Sequence, residues 1–356
     1  DINYVLCVLS SGAAGDHAHV EVSRLVYAEL SSSYCGGGHC TTGATQPSTE
    51  WYFAEGTTRP GFETWLCLAN PGDEEAYALV SALTQEGEVK EFPLTVPASC
   101  RRSLLINELA GPGLDVALSV TSNQPLVVER PVYFRYRGSW SGGHCTTGAT
   151  QPSTEWYFAE GTTRPGFETW LCLANPGDDP VMANVDFFLS GESAVQYAYH
   201  LAPRSRYTVC ANDVLGGNRD FSTHVYCTQP ILVERPLYFS CPAGAGGGHC
   251  VIGRESTSTE WYFAEGCSRR GFDEWLCIAN PNQQPAHVVV DYMDESQGRV
   301  IRSYNLAPQT RFTVEVGEVV GEGRDVSLTL ESDYGIVVER PMYFLFSPCT
   351  FEGDAP

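Results

Sequence analysis

Apolar and polar residues alternate in short runs along this chain, and a turn signal closes each run. In TEWYFAEG, Trp51, Phe53 and Glu55 fall on one face of an extended strand, and Gly56 ends it. ETWLCLANPG is a second strand, stopped by the turn tripeptide Asn-Pro-Gly. AYALVSALTQEGEVKEFPLTV reads as two strands around Glu-Gly, and CRRSLLINEL, DVALSVTS and PLVVERPVYF supply three more. No stripe at the helical period of about 3.6 residues interrupts them. About seven strands in about 90 residues predict an all-β fold, an immunoglobulin-like β-sandwich, with a small barrel as the alternative.

The pattern then repeats. Gly37–Asp73 recurs letter for letter as Gly142–Asp178, and a looser copy begins at Gly247. Trp51, Trp156 and Trp261 are spaced 105 residues apart, as are Cys67, Cys172 and Cys277, and Arg101, Arg206 and Arg311. Each copy closes on LVVERPVYF, ILVERPLYF or IVVERPMYF. Such a period is too long for a solenoid turn and fits one small domain per repeat. The predicted organisation is a tandem array of three sandwiches, at 49–136, 154–240 and 259–346. Gly/Thr/Cys linkers at 35–48, 137–153 and 241–258 separate them, and a tail spans 347–356.

Strand alternation places one charge on each apolar stripe. Val128, Arg130, Val132 and Phe134 share a face, as Trp51, Phe53 and Glu55 do. An isolated buried charge is costly, so the reading pairs Glu55 with Arg130, Glu160 with Arg235 and Glu265 with Arg340 at the edge of each core. The competing reading is a bulge that shifts the pleat and sends both charges to water.

Residues 1–34 resemble the end of a repeat. YVLCVLSS lines up with DVALSVTS, and VSRLVYAEL with VERPVYFRY. The chain thus opens with what reads as the last two strands of a unit, a terminal hairpin. Asp1 in place of Met reads as a processed or trimmed end. Two strands alone leave open edges and an apolar face. One expectation is strand addition onto a neighbouring copy, with Tyr4, Val5, Leu6, Val8, Val20, Val22, Leu25, Val26 and Tyr27 making the contact. Folding onto the chain's own first domain, or truncation from a longer array, would also account for them.

Composition narrows the function classes. The net charge of −22 argues against nucleic acid, which needs clustered cations. No apolar run reaches the roughly 18–20 residues of a membrane span. Lys90 is the lone lysine among 21 cations, a bias towards arginine that suits multidentate, part-buried pairing and equally suits drift in a GC-rich genome. Fourteen cysteines without a single CxxC spacing point to disulfides in an oxidising compartment rather than metal clusters.

Two disulfide registers compete. Each linker cysteine bonds the strand cysteine that follows (Cys40–Cys67, Cys145–Cys172, Cys250–Cys277), or the one before it. The second register gives Cys67–Cys145 and Cys172–Cys250, leaving Cys277 for Cys349 or another molecule. Cys210 and Cys227 occur together only in the second repeat and are read as a pair there. Cys7, Cys35, Cys100, Cys241 and Cys267 remain as candidates without an assigned partner.

The combination WYFAEG, G-F-x-x-W-L-C-x-A-N-P and V-E-R-P-x-Y-F resembles the WYFAEG-type tandem repeats of large bacterial secreted and surface-associated proteins, and covers nearly the whole chain. The resemblance implies an extracellular or cell-surface β-sandwich array with no established activity. The cysteine after Gly-Gly-His (Cys40, Cys145, Cys250) departs from that family's usual Gly-Gly-His-Asp-like stretch.

The remaining chemistry weighs against catalysis. His39–Cys40 and its copies are sequence neighbours, whereas catalytic pairs meet from distant segments with a third orienting group. His39, Cys40 and Cys67 fall short of a four-ligand structural zinc site, and no acidic turn has EF-hand spacing. The tryptophans and neighbouring aromatics fit a sandwich core better than a sugar platform. The expectation is a non-enzymatic structural protein without cofactor. It would assemble with itself head to tail into a disulfide-stabilised filament or surface fibre, the alternative being an adhesin or glycan-binding stalk that contacts the cell envelope or glycans.

Overall fold

The structure is a computed structural model that describes residues 2–11, 19–29, 36–138, 140–240, 246–294 and 298–344, with side chains from residue 41 onward. It is all-β: three seven-stranded antiparallel units in tandem, preceded by a three-stranded sheet. That sheet is β1 (Ile2–Ser11), β2 (His19–Glu29) and β3 (Gly36–Thr42). Among the described residues, no helix is long and apolar enough to cross a membrane.

Unit 1 runs through β4 (Ser48–Phe53), β5 (Phe62–Asn70), β6 (Ala76–Thr84), β7 (Val89–Val96), β8 (Cys100–Leu105), α1 (Ile106–Ala110), β9 (Val116–Tyr136) and β10 (Trp140–Thr147). Unit 2 repeats it as β11 (Ser153–Phe158), β12 (Phe167–Asn175), β13 (Val181–Leu189), β14 (Val195–Leu201), β15 (Ser205–Cys210), α2 (Ala211–Leu215), β16 (Phe221–Ser240) and β17 (Gly246–Ile252). Unit 3 is β18 (Ser258–Phe263), β19 (Phe272–Asn280), β20 (Ala286–Asp294), β21 (Gly298–Leu306), β22 (Thr310–Glu315), α3 (Val316–Val320), β23 (Val326–Glu339) and β24 (Met342–Phe344).

One long strand organises units 1 and 2, and in unit 3 it divides into β23 and β24. The first half of β9 pairs with β4 and β6, and its second half with β5 and β10. The sequence predicts two strands here, DVALSVTS and PLVVERPVYF. The chain instead stays extended through Asn123–Pro125 and passes from one layer to the other. Trp51 pins the crossing, its indole donating to Leu126 O at 2.9 Å, and Trp156 does the same to Ile231 O. All three repeat tryptophans are buried, so they belong to the core.

The ANPG turn is held by its asparagine. Asn70 donates to Glu74 O at 2.7 Å and Val96 O at 3.0 Å, and accepts from Gly72 N. CRRSLLINEL is shorter as a strand than its pattern implied. β8 ends at Leu105 and α1 follows, because Asn107 turns inward to bond Thr64 N and Phe62 O while Ile106 plugs the core.

The segments read as linkers are strands at their centres. β10 pairs with β9 from Trp140↔Tyr136 to Thr147↔Glu129, and β17 pairs with β16 in the same manner. β10 also packs between β3 and β17, so the β9–β10 and β16–β17 hairpins stack on each other. Glycine permits the approach: a Cβ on Gly248 would lie 2.7 Å from Tyr238 Cδ1 and 3.0 Å from Phe134 Cζ in unit 1. The core of unit 2 takes in Ala54, Leu83 and Ala117 from unit 1.

In the N-terminal sheet, Arg24 lies opposite Thr41 as Arg130 lies opposite Thr146 and Arg235 opposite Val251. β1 flanks β2 on its other side, the position β5 holds beside β9. Tyr4, Val5, Leu6 and Val8 thus sit on β1, and Val20, Val22, Leu25, Val26 and Tyr27 on β2, in register Tyr4↔Val26, Val5↔Leu25 and Val8↔Val22.

Candidate functional site

A buried polar cluster lies where units meet. Arg130 Nη2 sits 2.9 Å from Glu55 Oε2, and both side chains are buried. The structure extends this pair into the next unit: Arg130 Nη1 donates to Glu234 Oε2 at 2.7 Å and to Glu55 O at 2.5 Å. Glu234 Oε2 also accepts from Glu55 N at 2.6 Å. One guanidinium therefore joins two carboxylates 179 residues apart. Burial opposes its charge, but Glu234 and then Glu55 outweigh that and raise Arg130's pKa well above the ordinary value. Burial pushes the Glu55 carboxyl up, Arg130 offsets part of that rise, and Glu234 adds to it.

The second junction repeats the geometry. Arg235 lies 2.8 Å from Glu160 and 2.8 Å from Glu339, and Glu160 N donates to Glu339 at 2.6 Å. Here Glu160 also contacts His249 Nε2 at 3.0 Å and accepts from Tyr343 OH at 2.7 Å. Burial alone would raise Glu160, but Arg235 and then His249 outweigh it and hold the carboxyl well below the usual range. The third pair is Arg340 and Glu265 at 3.0 Å, and Glu265 is 41% exposed there against 3% and 4% for its two copies. The first two pairs are therefore interdomain nodes, and the third lies within unit 3 with its carboxylate open.

A second recurring contact escaped the sequence reading. Arg101 Nη2 donates to Cys67 Sγ at 3.0 Å, Arg206 to Cys172 at 2.9 Å and Arg311 to Cys277 at 3.1 Å. Arg206 also reaches back to Gly56 O at 2.6 Å in the preceding unit, as Arg311 does to Gly161 O. The shared 105-residue period of Arg and Cys was the available signal.

The expected disulfides do not form among the described residues: Cys67, Cys100, Cys172, Cys210, Cys227, Cys250, Cys267 and Cys277 are free thiols. Cys145, whose Sγ donates to Glu129 Oε2 at 3.9 Å, is not bridged to another cysteine either. Cys67 is opposite Glu129 on one side of β9 and Cys145 opposite Pro131 on the other, and Cys172 and Cys250 flank β16 likewise. Two strand spacings, about 9–10 Å, exceed the roughly 7 Å Cα reach of a bridge. Cys145–Cys172 and Cys250–Cys277 are unformed too, the strand partner of each being held by an arginine instead. Cys210 and Cys227 are unbridged because they lie in different layers, on β15 beside β12 and on β16 beside β13. Burial pushes the thiol of Cys172 up to about 11 and that of Cys277 to about 12, with the neighbouring arginine offsetting only part. Cys7 and Cys40 have no described side chain, and Cys35, Cys241 and Cys349 lie outside the described residues.

No family model matches the chain, and no curated protein matches it. Among solved structures it is similar to Thermotoga maritima 1070, 17% identical over 29% of this chain and 94% of that one, with a TM-score of 0.27. It is also similar to the Anabaena sensory rhodopsin transducer, 31% identical over 23% of this chain and 92% of that one, TM-score 0.21. A tetra-tandem repeat from the extending region of a large adhesion protein aligns over 96% of this chain and 91% of its own at 9% identity, TM-score 0.14. The chain is a tandem array of β-sandwich repeats whose units are joined by a periodic Glu–Arg–Glu node.

Proposed function

We propose that this chain is an extracellular structural protein, the subunit of a filament or surface fibre that grows head to tail. The observation that carries the reading is the repeated node. Arg130 engages Glu234 and Arg235 engages Glu339, while Arg340 ends the described ladder with Glu265 still open to solvent. A further unit placed by the same operation would bury that pair. Such a contact is heterologous and does not close on itself, which is the geometry of a fibre. Strand addition has its own place in this scheme: β8 lies outside β5 in a complete unit, whereas among the described residues no strand lies outside β1. The likeness to WYFAEG-type repeats of bacterial surface proteins supports the extracellular placement.

Negative-stain microscopy of the purified chain tests the proposal: long fibres are expected, and separate three-unit rods at all concentrations overturn it. Deleting residues 1–34 should leave single rods, and unchanged fibres would remove the N-terminal sheet from the contact.

A second reading, an adhesin or glycan-binding stalk, draws on an open groove of about 920 Å³ lined by Gly43–Ser48, Thr147–Thr150, Ile252–Ser256 and Tyr262. Tyr262 is 70% exposed. Glycan-array binding lost on Tyr262→Ala would favour that reading over the fibre.

A further inference from the structure

Glu55 follows β4, His144 lies on β10 and Cys250 on β17, and the ligand atoms they offer lie within 4.8 Å of one another. All three residues are buried. We propose that they form a binding site for a divalent cation of zinc's class, set between the first two units.

The donor set selects the ion. Carboxylate oxygen, imidazole nitrogen and thiolate sulfur together suit a borderline-soft metal, whereas calcium and magnesium call for oxygens. Zinc ligands lie about 2.0–2.3 Å from the metal, so a tetrahedral set is roughly 3.3–3.8 Å apart. The side chains must close by about an ångström, and the fourth position is left to water.

Charge sets what binding must rearrange. Two buried carboxylates, Glu55 and Glu234, share the guanidinium of Arg130, and the Arg206 guanidinium also faces Glu55 while donating to Gly56 O. On binding, the Cys250 thiol releases its proton to the buffer, and the dication is held by that thiolate and the Glu55 carboxylate. Arg130 need not leave: its Nη1 remains on Glu234 Oε2 and Glu55 O while the Glu55 carboxylate turns to the metal.

The second junction is a built-in control. There Glu160 already contacts His249 and Tyr343, and the position 105 residues after Cys250 is Ala355, which offers no ligand. The trio was hidden in the sequence because its members come from two repeats and lie 89 to 195 residues apart.

The test uses the whole chain, reduced and freed of metal, titrated with Co2+ alone. A thiolate-to-cobalt charge-transfer band should grow to saturation at one ion per chain and disappear when Zn2+ is added. Cys250→Ser should abolish the band, His144→Ala should weaken binding about a hundredfold, and His249→Ala should leave it unchanged. Circular dichroism checks that each variant keeps its fold. A measurement without variants accompanies it: the urea midpoint of the unmodified chain should rise with Zn2+ and stay unchanged with Mg2+. Absence of the band in the unmodified chain overturns the site, as does a midpoint indifferent to Zn2+ or a band that needs His249.

Discussion

Arg130 and Glu234 are 104 residues apart, belong to different units, and meet at 2.7 Å with both side chains fully buried. Removing the arginine leaves two carboxylates in a dry junction. Arg130→Met should therefore destabilise the chain by about 3–5 kcal/mol. Arg340→Met, at the open node, should cost less, because Glu265 there is 41% exposed and only Glu274, 3.9 Å away, is a buried carboxylate facing it. Denaturant titrations of the two variants give the comparison, and equal losses would mean that the node does not join units.

Glu274 should make unit 3 pH-sensitive. Units 1 and 2 place Thr64 and Thr169 at this position, each accepting a backbone N–H, and Glu274 accepts from Cys267 N in the same way. Burial pushes the Glu274 carboxyl from 4.5 up to about 7, with Arg340 offsetting part. The folded chain then keeps a proton that the unfolded chain releases, so stability falls as pH rises from 4.5 to about 7. Glu274→Thr should remove that fall, stabilising the chain by up to roughly 3 kcal/mol at pH 8 and by little near pH 4.5. Thermal melts across this range decide it.

Gly248 should be intolerant of any side chain. Its Cβ would meet Tyr238 Cδ1 and Leu237 O as well as Phe134 of unit 1, whereas Gly323 faces open space. Gly248→Ala should cost about 1–3 kcal/mol by prying the hairpins apart. A milder effect than that of Ala at Gly217, where the nearest atom is 3.9 Å away, would contradict the close stack.

Thiol reactivity should divide by burial. Cys100 is exposed and should label quickly in the native protein, while Cys172, Cys250 and Cys277 should label only on unfolding. Peptide mass spectrometry after timed alkylation reads each position. Fast native labelling of Cys172 would break the Arg206–Cys172 assignment.

Much of this architecture is legible without coordinates. The period-two alternation that puts Glu55 among Trp51 and Phe53, and Arg130 among Val128 and Val132, is a local property of extended chain, so the paired face is readable. The exact recurrence of Cys67 and Arg101 likewise marks a repeated contact, although not its kind.

What the sequence alone determined is the all-β class, the three-fold repeat and which face of each strand carries its charge, because these depend on alternation and spacing along the chain. Only the tertiary structure decided that Gly-Gly-His-Cys is a stacked strand, that cysteines flanking β9 are too far apart to bond, and that Arg130 and Arg235 each serve two units. Those outcomes depend on which strand lies between which, and on contacts across 104 residues or more that no local pattern encodes.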